Sequence, residues 1–153
     1  MIVLTQRVAE ASVSVEGRVV GAVGRGLLAF VCGEPGDTPA VIEKLARKTA
    51  RLRIFEDEAG KMNRSVADIG GDVLCVSQFT LAADTMSGNR PSFSKAAKPE
   101  EGLAAFNAYV AALRREGLSC PTGEFGAHMR VSLVNDGPAT FTMHLNAQKN
   151  EAI

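Results

Sequence analysis

The run Leu27-Leu28-Ala29-Phe30-Val31 is continuously apolar, and the prediction of the fold starts from it. An apolar run of this length, without alternating polar positions, is typical of a strand that is buried on both faces. Residues Val73 to Phe79 begin with a second run of this kind and are predicted to form another buried strand. Two such strands require a sheet whose faces are covered by other elements.

The residues before Leu27 predict a hairpin with one face in water. Ala11, Val13 and Val15 alternate with polar residues, and Gly17-Arg18 then turn the chain into a strand over residues 19–23. Such alternation places the apolar side chains on one face of a pleated strand.

Two helices are expected to pack on the sheet. The first spans about residues 38 to 51, because Thr38 can cap its start, Pro39 suits the first helical position and apolar residues follow at helical spacing. The second begins near Pro99, carries two acidic residues in its first turn and ends at Gly117.

The rest of the chain completes an α+β prediction. A short strand is expected at residues 53–55, a polar loop at 84–94, and two late strands, Met129 to Val134 and Thr140 to Leu145, joined by a turn at 135–138. We therefore expect a curved, mostly antiparallel and partly barrel-like sheet with two main helices packed on it. Residues 1–147 are expected to form a single domain, and residues 148–153 a loose C-terminal tail.

The composition argues against several classes of function. Lys and Arg together number 17, as do Asp and Glu, so any RNA contact must depend on local patches. The three cysteines form no CxxC pair, and no metal or cofactor is predicted; Cys32 and Cys75 lie in apolar runs and should be buried. No signal peptide or membrane-spanning run of ~18 apolar residues is found, which predicts a cytoplasmic protein without membrane contact.

Two segments carry groups that could do chemistry. Ser77-Gln78-Phe79-Thr80 places hydroxyl and amide groups where a buried strand meets a loop, a position that suits a site and equally suits local backbone hydrogen bonding. Gly137-Pro138 lies between the two late strands. A trans bond is its ordinary state, whereas a cis bond would fix two carbonyl oxygens in a parallel arrangement suited to gripping an ammonium group.

Taken together, these segments resemble the D-aminoacyl-tRNA deacylase family. The matching segments extend through nearly the whole chain: residues 6–8, 77–81, 88–93, 123–129 and 135–140. Ala139 stands where the family pattern has valine, a conservative departure that leaves Gly137-Pro138 intact.

The resemblance implies a homodimeric enzyme that hydrolyses D-aminoacyl-tRNA, and glycyl-tRNA mischarged on tRNA(Ala), as proofreading in translation. It implies that Gly137-Pro138 is cis and enters the partner's active site, so that both sites lie at the subunit interface. There the carbonyls of Gly137 and Pro138 would bind the substrate amino group and occupy the space that an L side chain needs. Arg7 would hold the inserted Gly-Pro in place.

By the same resemblance, the catalytic pocket is lined by Ser77, Gln78, Phe79 and Thr80. Backbone N–H groups and Gln78 would lie near the ester carbonyl, and Phe125 and Met129 would border the terminal adenosine. Either Thr80 acts as the nucleophile, or the neighbouring 2′-hydroxyl of the ribose positions or activates water. The second route is favoured because no base is evident beside Thr80.

Other readings of the chain stay open. Lys44, Arg47, Lys48 and Arg51 share one face of the first helix, which suits tRNA phosphates and is also the ordinary pattern of a solvated face. The alternative phosphate contacts are Arg64, Arg90, Lys95 and Lys98. The rival functions are a nucleic-acid-binding accessory module without hydrolysis, and a small-molecule esterase that pairs Ser77 or Thr80 with His144.

Overall fold

The computed structural model describes residues 1–147, which form strands and two α-helices. In chain order they are β1 (Ile2–Val15), β2 (Arg18–Val23), β3 (Gly26–Cys32), α1 (Pro39–Arg51), β4 (Phe55–Glu56), β5 (Met62–Arg64), β6 (Asp72–Ser77), a 3₁₀ turn (Phe79–Ala82), α2 (Pro99–Arg115) and β7 (Arg130–His144). The expected tail at residues 148–153 lies outside the described residues. No helix in the described part is long and apolar enough to cross a membrane.

Strand β1 organises the main sheet, because three other strands pair with it. β7 runs antiparallel along one edge of β1, while β2 and β3 run antiparallel along the other edge, beside residues 11–15 and 2–8 respectively. β6 adds to β3 in parallel, so the sheet is mixed but mostly antiparallel, and it curls like a half-barrel. The predicted α+β architecture with two main helices is confirmed.

The two central strands are buried on both faces, as their apolar runs predicted. Leu27 of β3 and Val73 of β6 face the core that lies under α1 and α2. Leu28 and Leu74, the next residues along each strand, belong to a second apolar cluster on the opposite face. Successive side chains of a strand point to opposite faces, so each central strand contributes to both cores.

The structure corrects three predicted boundaries. β6 ends at Ser77, and Phe79 begins the 3₁₀ turn instead of ending the strand. The hairpin turn falls at Glu16-Gly17, one residue earlier than predicted, where both residues have positive φ (50° and 77°), the conformation that fits a tight two-residue hairpin. The strand expected at residues 53–55 starts only at Phe55.

The predicted turn at residues 135–138 is wrong. β7 is one strand that pairs with β1 on both sides of a bulge: Asn135 lies opposite Val8, and Thr140 lies opposite Gln6. Residues 136–139 therefore face Arg7 alone. The chain keeps its direction because β1 continues past Arg7 and offers hydrogen-bonding partners to both halves of β7.

A buried pair of hydroxyl groups joins the two helices. The Tyr109 oxygen lies 2.7 Å from Thr49 Oγ1, and Thr49 Oγ1 donates to the Leu45 carbonyl at 2.9 Å. Since the threonine proton is used on Leu45, the phenol donates to Thr49. Burial raises the pKa of Tyr109 well above its usual value, which keeps this donor protonated.

We expect Tyr109→Phe to lower the free energy of unfolding by about 1 kcal/mol, because one buried hydrogen bond is lost. Thr49→Val should also destabilise the protein, since it leaves the Tyr109 hydroxyl unpaired. The double variant should then lose less stability than the sum of the two single losses, because the shared bond can be lost only once. Urea unfolding of the three variants measures this, and strict additivity would contradict the pairing.

Candidate active site

A cavity of about 320 Å³, here called the strand-end cavity, opens at the carboxyl ends of the parallel strands β3 and β6. This end of parallel strands is a common place for ligand sites. Five residues singled out from the sequence line it: Ser77, Gln78, Phe79, Lys98 and Phe125. Sequence reasoning missed Cys32, Phe93 and Gly102, which complete much of its wall. Of these, Phe93 lies in a segment that matched the family pattern.

The backbone at residues 78–81 leaves two amides available beside the cavity. Gln78 N–H donates to the Val31 carbonyl at 2.8 Å and extends the pairing of β6 with β3. Leu81 N–H donates to the Gln78 carbonyl at 3.2 Å, which is the first hydrogen bond of the 3₁₀ turn. The amides of Phe79 and Thr80 fall between these two and are used by neither the strand nor the turn. Adjacent N–H groups of this kind suit the binding of an oxyanion.

The Thr80 hydroxyl has an amide as its neighbour. Gln78 Nε2 donates to Thr80 Oγ1, and Thr80 itself is exposed and does not line the strand-end cavity. The His144 ring lies 2.7 Å from the Glu34 carboxylate, so it is engaged away from Ser77 and Thr80. The geometry therefore offers no support for the esterase pairing with His144.

Aromatic side chains form the rim of the strand-end cavity. The Phe79 and Phe93 rings lie with centroids 5.2 Å apart, and Phe79 is 58% exposed. Phe125 stands at another wall, and a Cβ added to Gly102 would lie 3.7 Å from its ring. Aromatic rings around a cavity offer faces on which a planar base can stack.

Cys32 contributes a thiol to the wall, and it is buried as expected. Burial, followed by the nearby Glu34 carboxylate, raises its pKa to about 11. The thiol is therefore protonated at neutral pH and is a poor nucleophile. Among residues 1–147, no group of three or more His, Cys, Asp or Glu side chains is arranged to hold a metal ion.

The Gly137-Pro138 bulge has a fixed base and an exposed tip. Arg7, which is only 7% exposed, donates from Nε to the Asp136 carbonyl at 2.7 Å and from Nη1 to the Ile54 carbonyl at 2.6 Å. Asn135 Nδ2 donates to the Arg7 carbonyl at 3.0 Å. The Gly137-Pro138 peptide bond is cis, and both residues are exposed.

Sequence reasoning missed the residues that flank this bulge. Gln6 Nε2 donates to Thr140 Oγ1 at 3.2 Å, and Thr140 Oγ1 in turn lies 3.5 Å from Asn135 Oδ1. Both ends of the bulge are thus tied to each other and to β1. The signal was present, because these residues are the outer positions of the two matched segments that contain Arg7 and Gly137-Pro138.

One chain alone does not bring all the predicted site residues together. Ser77, Gln78, Phe79 and Phe125 share the strand-end cavity, whereas Arg7 and Asp136 line a separate small cleft, and neither Gly137 nor Pro138 lines the cavity. Met129 packs on the second apolar cluster, against Gly123.

The basic face of α1 is partly neutralised. Arg47 and Arg51 each lie 3.5 Å from the Glu116 carboxylate, while Lys44 and Lys48 line the same shallow groove. Of the alternative phosphate contacts, Lys98 reaches the strand-end cavity, and Arg64 lies on β5, 3.7 Å from Glu58.

Comparison with known proteins gives consistent matches. The family model described as D-Tyr-tRNA(Tyr) deacylase matches residues 4–144. A protein of Paracoccus denitrificans named D-aminoacyl-tRNA deacylase is 60% identical over 140 residues, which cover 92% of this chain and 94% of the relative. One of Alteromonas mediterranea with the same name is 55% identical over 146 residues, covering 95% and 99%.

Two solved structures have the same fold. The c-Myc DNA Unwinding Element Binding Protein superimposes with a TM-score of 0.89 at 39% identity, covering 96% of this chain and 100% of that one. A probable eukaryotic D-amino acid tRNA deacylase superimposes with a TM-score of 0.79 at 16% identity, covering 93% and 97%. The family match over residues 4–144 and the identities to the relatives show that this chain belongs to the D-Tyr-tRNA(Tyr) deacylase family.

Proposed function

We propose that the protein is a D-aminoacyl-tRNA deacylase, a hydrolase of the carboxylic ester between a D-amino acid and the terminal ribose of tRNA. Relatives at 55–60% identity carry this name. The observation that carries the proposal is the pair of Phe79 and Thr80 amides, which are left available where β6 ends beside the strand-end cavity. Two fixed N–H donors can stabilise the oxyanion of acyl transfer without any charged side chain.

In the proposed reaction, water attacks the ester carbonyl carbon while the Phe79 and Thr80 amides, with Gln78, bind the developing oxyanion. The bond between the carbonyl carbon and the ribose oxygen then breaks, and that oxygen takes up a proton. The products are a free D-amino acid and tRNA. The neighbouring 2′-hydroxyl of the ribose orients the water. Because this hydroxyl is already held beside the ester, the reaction avoids the entropic cost of a bimolecular encounter.

The aromatic rim of the strand-end cavity holds the terminal adenosine in this proposal. Phe125 and the Phe79–Phe93 pair offer ring faces to the adenine. Met129 does not line this cavity, because it packs on the second apolar cluster. Ser77 completes the wall beside the ester. The exposure of the adjacent Phe79 and Phe93 rings supports this assignment, because a contiguous apolar patch in water marks a binding surface.

A homodimer completes the site. In one chain the strand-end cavity lacks Gly137 and Pro138, while the bulge that carries them ends in an exposed tip. We place the partner's Gly137 and the partner's Pro138 in the cavity, with their carbonyls toward the substrate ammonium group. An L side chain would then meet main-chain atoms, which no rotamer change can move aside, whereas a D side chain points away.

The same filter would admit glycyl-tRNA mischarged on tRNA(Ala), because glycine has no side chain to clash. Arg7 supports the filter by holding the carbonyl that precedes Gly137. We place this proofreading activity in the cytoplasm, carried by a single domain over residues 1–147 and needing no cofactor.

A nucleic-acid-binding accessory module is the second candidate, favoured by one observation. The structure named c-Myc DNA Unwinding Element Binding Protein shares 39% of its sequence with this chain. Such a module would not need the Ser77 to Thr80 and Gly137-Pro138 segments, and both are intact here. Binding of tRNA without hydrolysis would favour this candidate.

The proposed function is tested by hydrolysis of D-tyrosyl-tRNA and L-tyrosyl-tRNA by the purified protein, with a metal chelator present. We expect release of D-tyrosine and no release of L-tyrosine, because the main-chain filter excludes the L side chain. Cleavage of both esters would contradict the proposed chiral filter, and cleavage of neither would contradict the proposed hydrolytic activity.

We expect Gly137→Ala to slow hydrolysis of D-tyrosyl-tRNA by about 100-fold, because small displacements in a site have effects of this size. The new Cβ would lie 3.1 Å from both Asn135 Oδ1 and Ala139 N, so the Asn135 side chain and the backbone at Ala139 must move apart from it by a few tenths of an ångström. Gly24→Ala is the matched control, since its Cβ meets no atom within 4 Å. Single-turnover rates at equal thermal stability measure the effect; an unchanged rate would contradict the role of the bulge.

Replacing the Thr80 hydroxyl tests the route of attack. We expect Thr80→Val to keep hydrolysis of D-tyrosyl-tRNA within about tenfold of the unmodified protein, because the variant retains the backbone amide and loses only the hydroxyl. Rates and binding are measured separately by rapid quench and filter binding. Loss of all hydrolysis with substrate binding intact would establish Thr80 as the nucleophile instead.

A further inference from the structure

A second cavity, of about 540 Å³, lies across one turn of backbone from the strand-end cavity. The turn is closed by a hydrogen bond of 3.2 Å from Ala127 N–H to the Glu124 carbonyl, and Gly126 supplies the positive φ (78°) within it. Phe125 and Gly126 line the strand-end cavity, whereas Glu124 and Ala127 line the second one. A single turn therefore separates the two spaces.

The second cavity is lined by charged side chains of both signs. The β1–β2 hairpin contributes Glu16 and Arg18, and the segment that leads into β7 contributes Glu124 and Arg130. Within residues 1–147, none of these four side chains forms an ion pair. A chain with no net charge thus places two unpaired arginines in a concave surface next to its proposed active site.

We infer that this second cavity binds the cytidine that precedes the terminal adenosine of tRNA. The inference rests on the proposed function, which puts the adenosine against Phe125. The ends of a turn lie less than ~7 Å apart, a distance that one nucleotide spans. A strand that leaves the adenosine and crosses the turn therefore enters the second cavity with its next nucleotide.

The lining assigns different parts of the nucleotide to different side chains. Arg18 and Arg130 contact the phosphates, which need donors and positive charge. Glu16 and Glu124 would repel phosphate, so a carboxylate here faces the base. Cytosine has an exocyclic amino group that donates a hydrogen bond to a carboxylate, whereas uracil presents an oxygen at the same position. Every tRNA carries cytidine at this place in its 3′ end, so this contact suits an enzyme that acts on many tRNAs.

The first test compares three substrates of the unmodified protein: D-tyrosyl-tRNA, the same tRNA with uridine in place of that cytidine, and D-tyrosyl-adenosine. We expect the change to uridine to raise KM about tenfold, the loss of one base contact, with little change in kcat. Equal KM for the cytidine and uridine tRNAs would overturn the inference and leave the proposed function standing. Hydrolysis of none of the three would overturn both.

The second test uses variants of the cavity. Glu124→Gln should bring the KM values of the cytidine and uridine tRNAs together, because an amide can accept from one base and donate to the other. Arg18→Gln and Arg130→Gln should each raise KM for D-tyrosyl-tRNA and reduce the slope of log KM against log salt by about 0.7, the value for one phosphate of a single strand. None should alter hydrolysis of D-tyrosyl-adenosine.

Arg115→Gln is the matched control, because it removes an exposed guanidinium that pairs with Glu43 outside both cavities. It should leave KM and the salt slope unchanged. Variants of Arg18 and Arg130 that behave like this control would overturn the inference. Variants that impair D-tyrosyl-adenosine as strongly as D-tyrosyl-tRNA would also overturn it, since they would act on the catalytic site itself.

Discussion

The structure around the bulge depends on one buried arginine. Arg7 lies in β1 where β7 departs from regular pairing, and its guanidinium donates to the carbonyls of Asp136 and Ile54. A buried charge needs a partner and hydrogen bonds: here two main-chain oxygens accept from the guanidinium, and the Asp136 carboxylate lies 3.5 Å from Arg7 Nε. The bond to Asp136 fixes the carbonyl just before Gly137. The side chain of Arg7, in β1, thus sets the position of main-chain groups in β7.

Main-chain groups carry both roles in the proposed function. The proposed oxyanion donors are the amides of Phe79 and Thr80, and the proposed chiral filter consists of the Gly137 and Pro138 carbonyls. Peptide groups do not titrate and have no rotamers, so their positions follow from the backbone and from the side chains, such as Arg7, that hold it. The end of β6 sets the first pair, and the register of β7 against β1 sets the second. The fold of the backbone therefore determines the geometry of both groups.

The sequence predicted the elements better than their connections. Continuous apolar runs identified the strands around Leu27 and Val73, and Thr38-Pro39 marked the start of α1 correctly. Asn135 to Pro138 looked like a turn because local residue preferences contain no information about β1, which holds β7 straight by pairing on both sides of the bulge. The sequence predicted only part of the cavity lining. Ser77 to Phe79 follow directly from the end of a predicted strand, whereas Phe93 and Gly102 reach the cavity through the tertiary path of the loop and α2.

The bulge also bears on the solubility of the protein. β7 pairs with β1 on one side and has no second strand beside it among residues 1–147, so its outer edge presents open backbone groups over a length of 15 residues. A long, regular edge is a template on which strands of other molecules can add and aggregate. Residues 136–139 interrupt that regularity in the middle, and Pro138 contributes no N–H there. The same irregularity that displays two carbonyl groups thus protects the monomer from uncontrolled association.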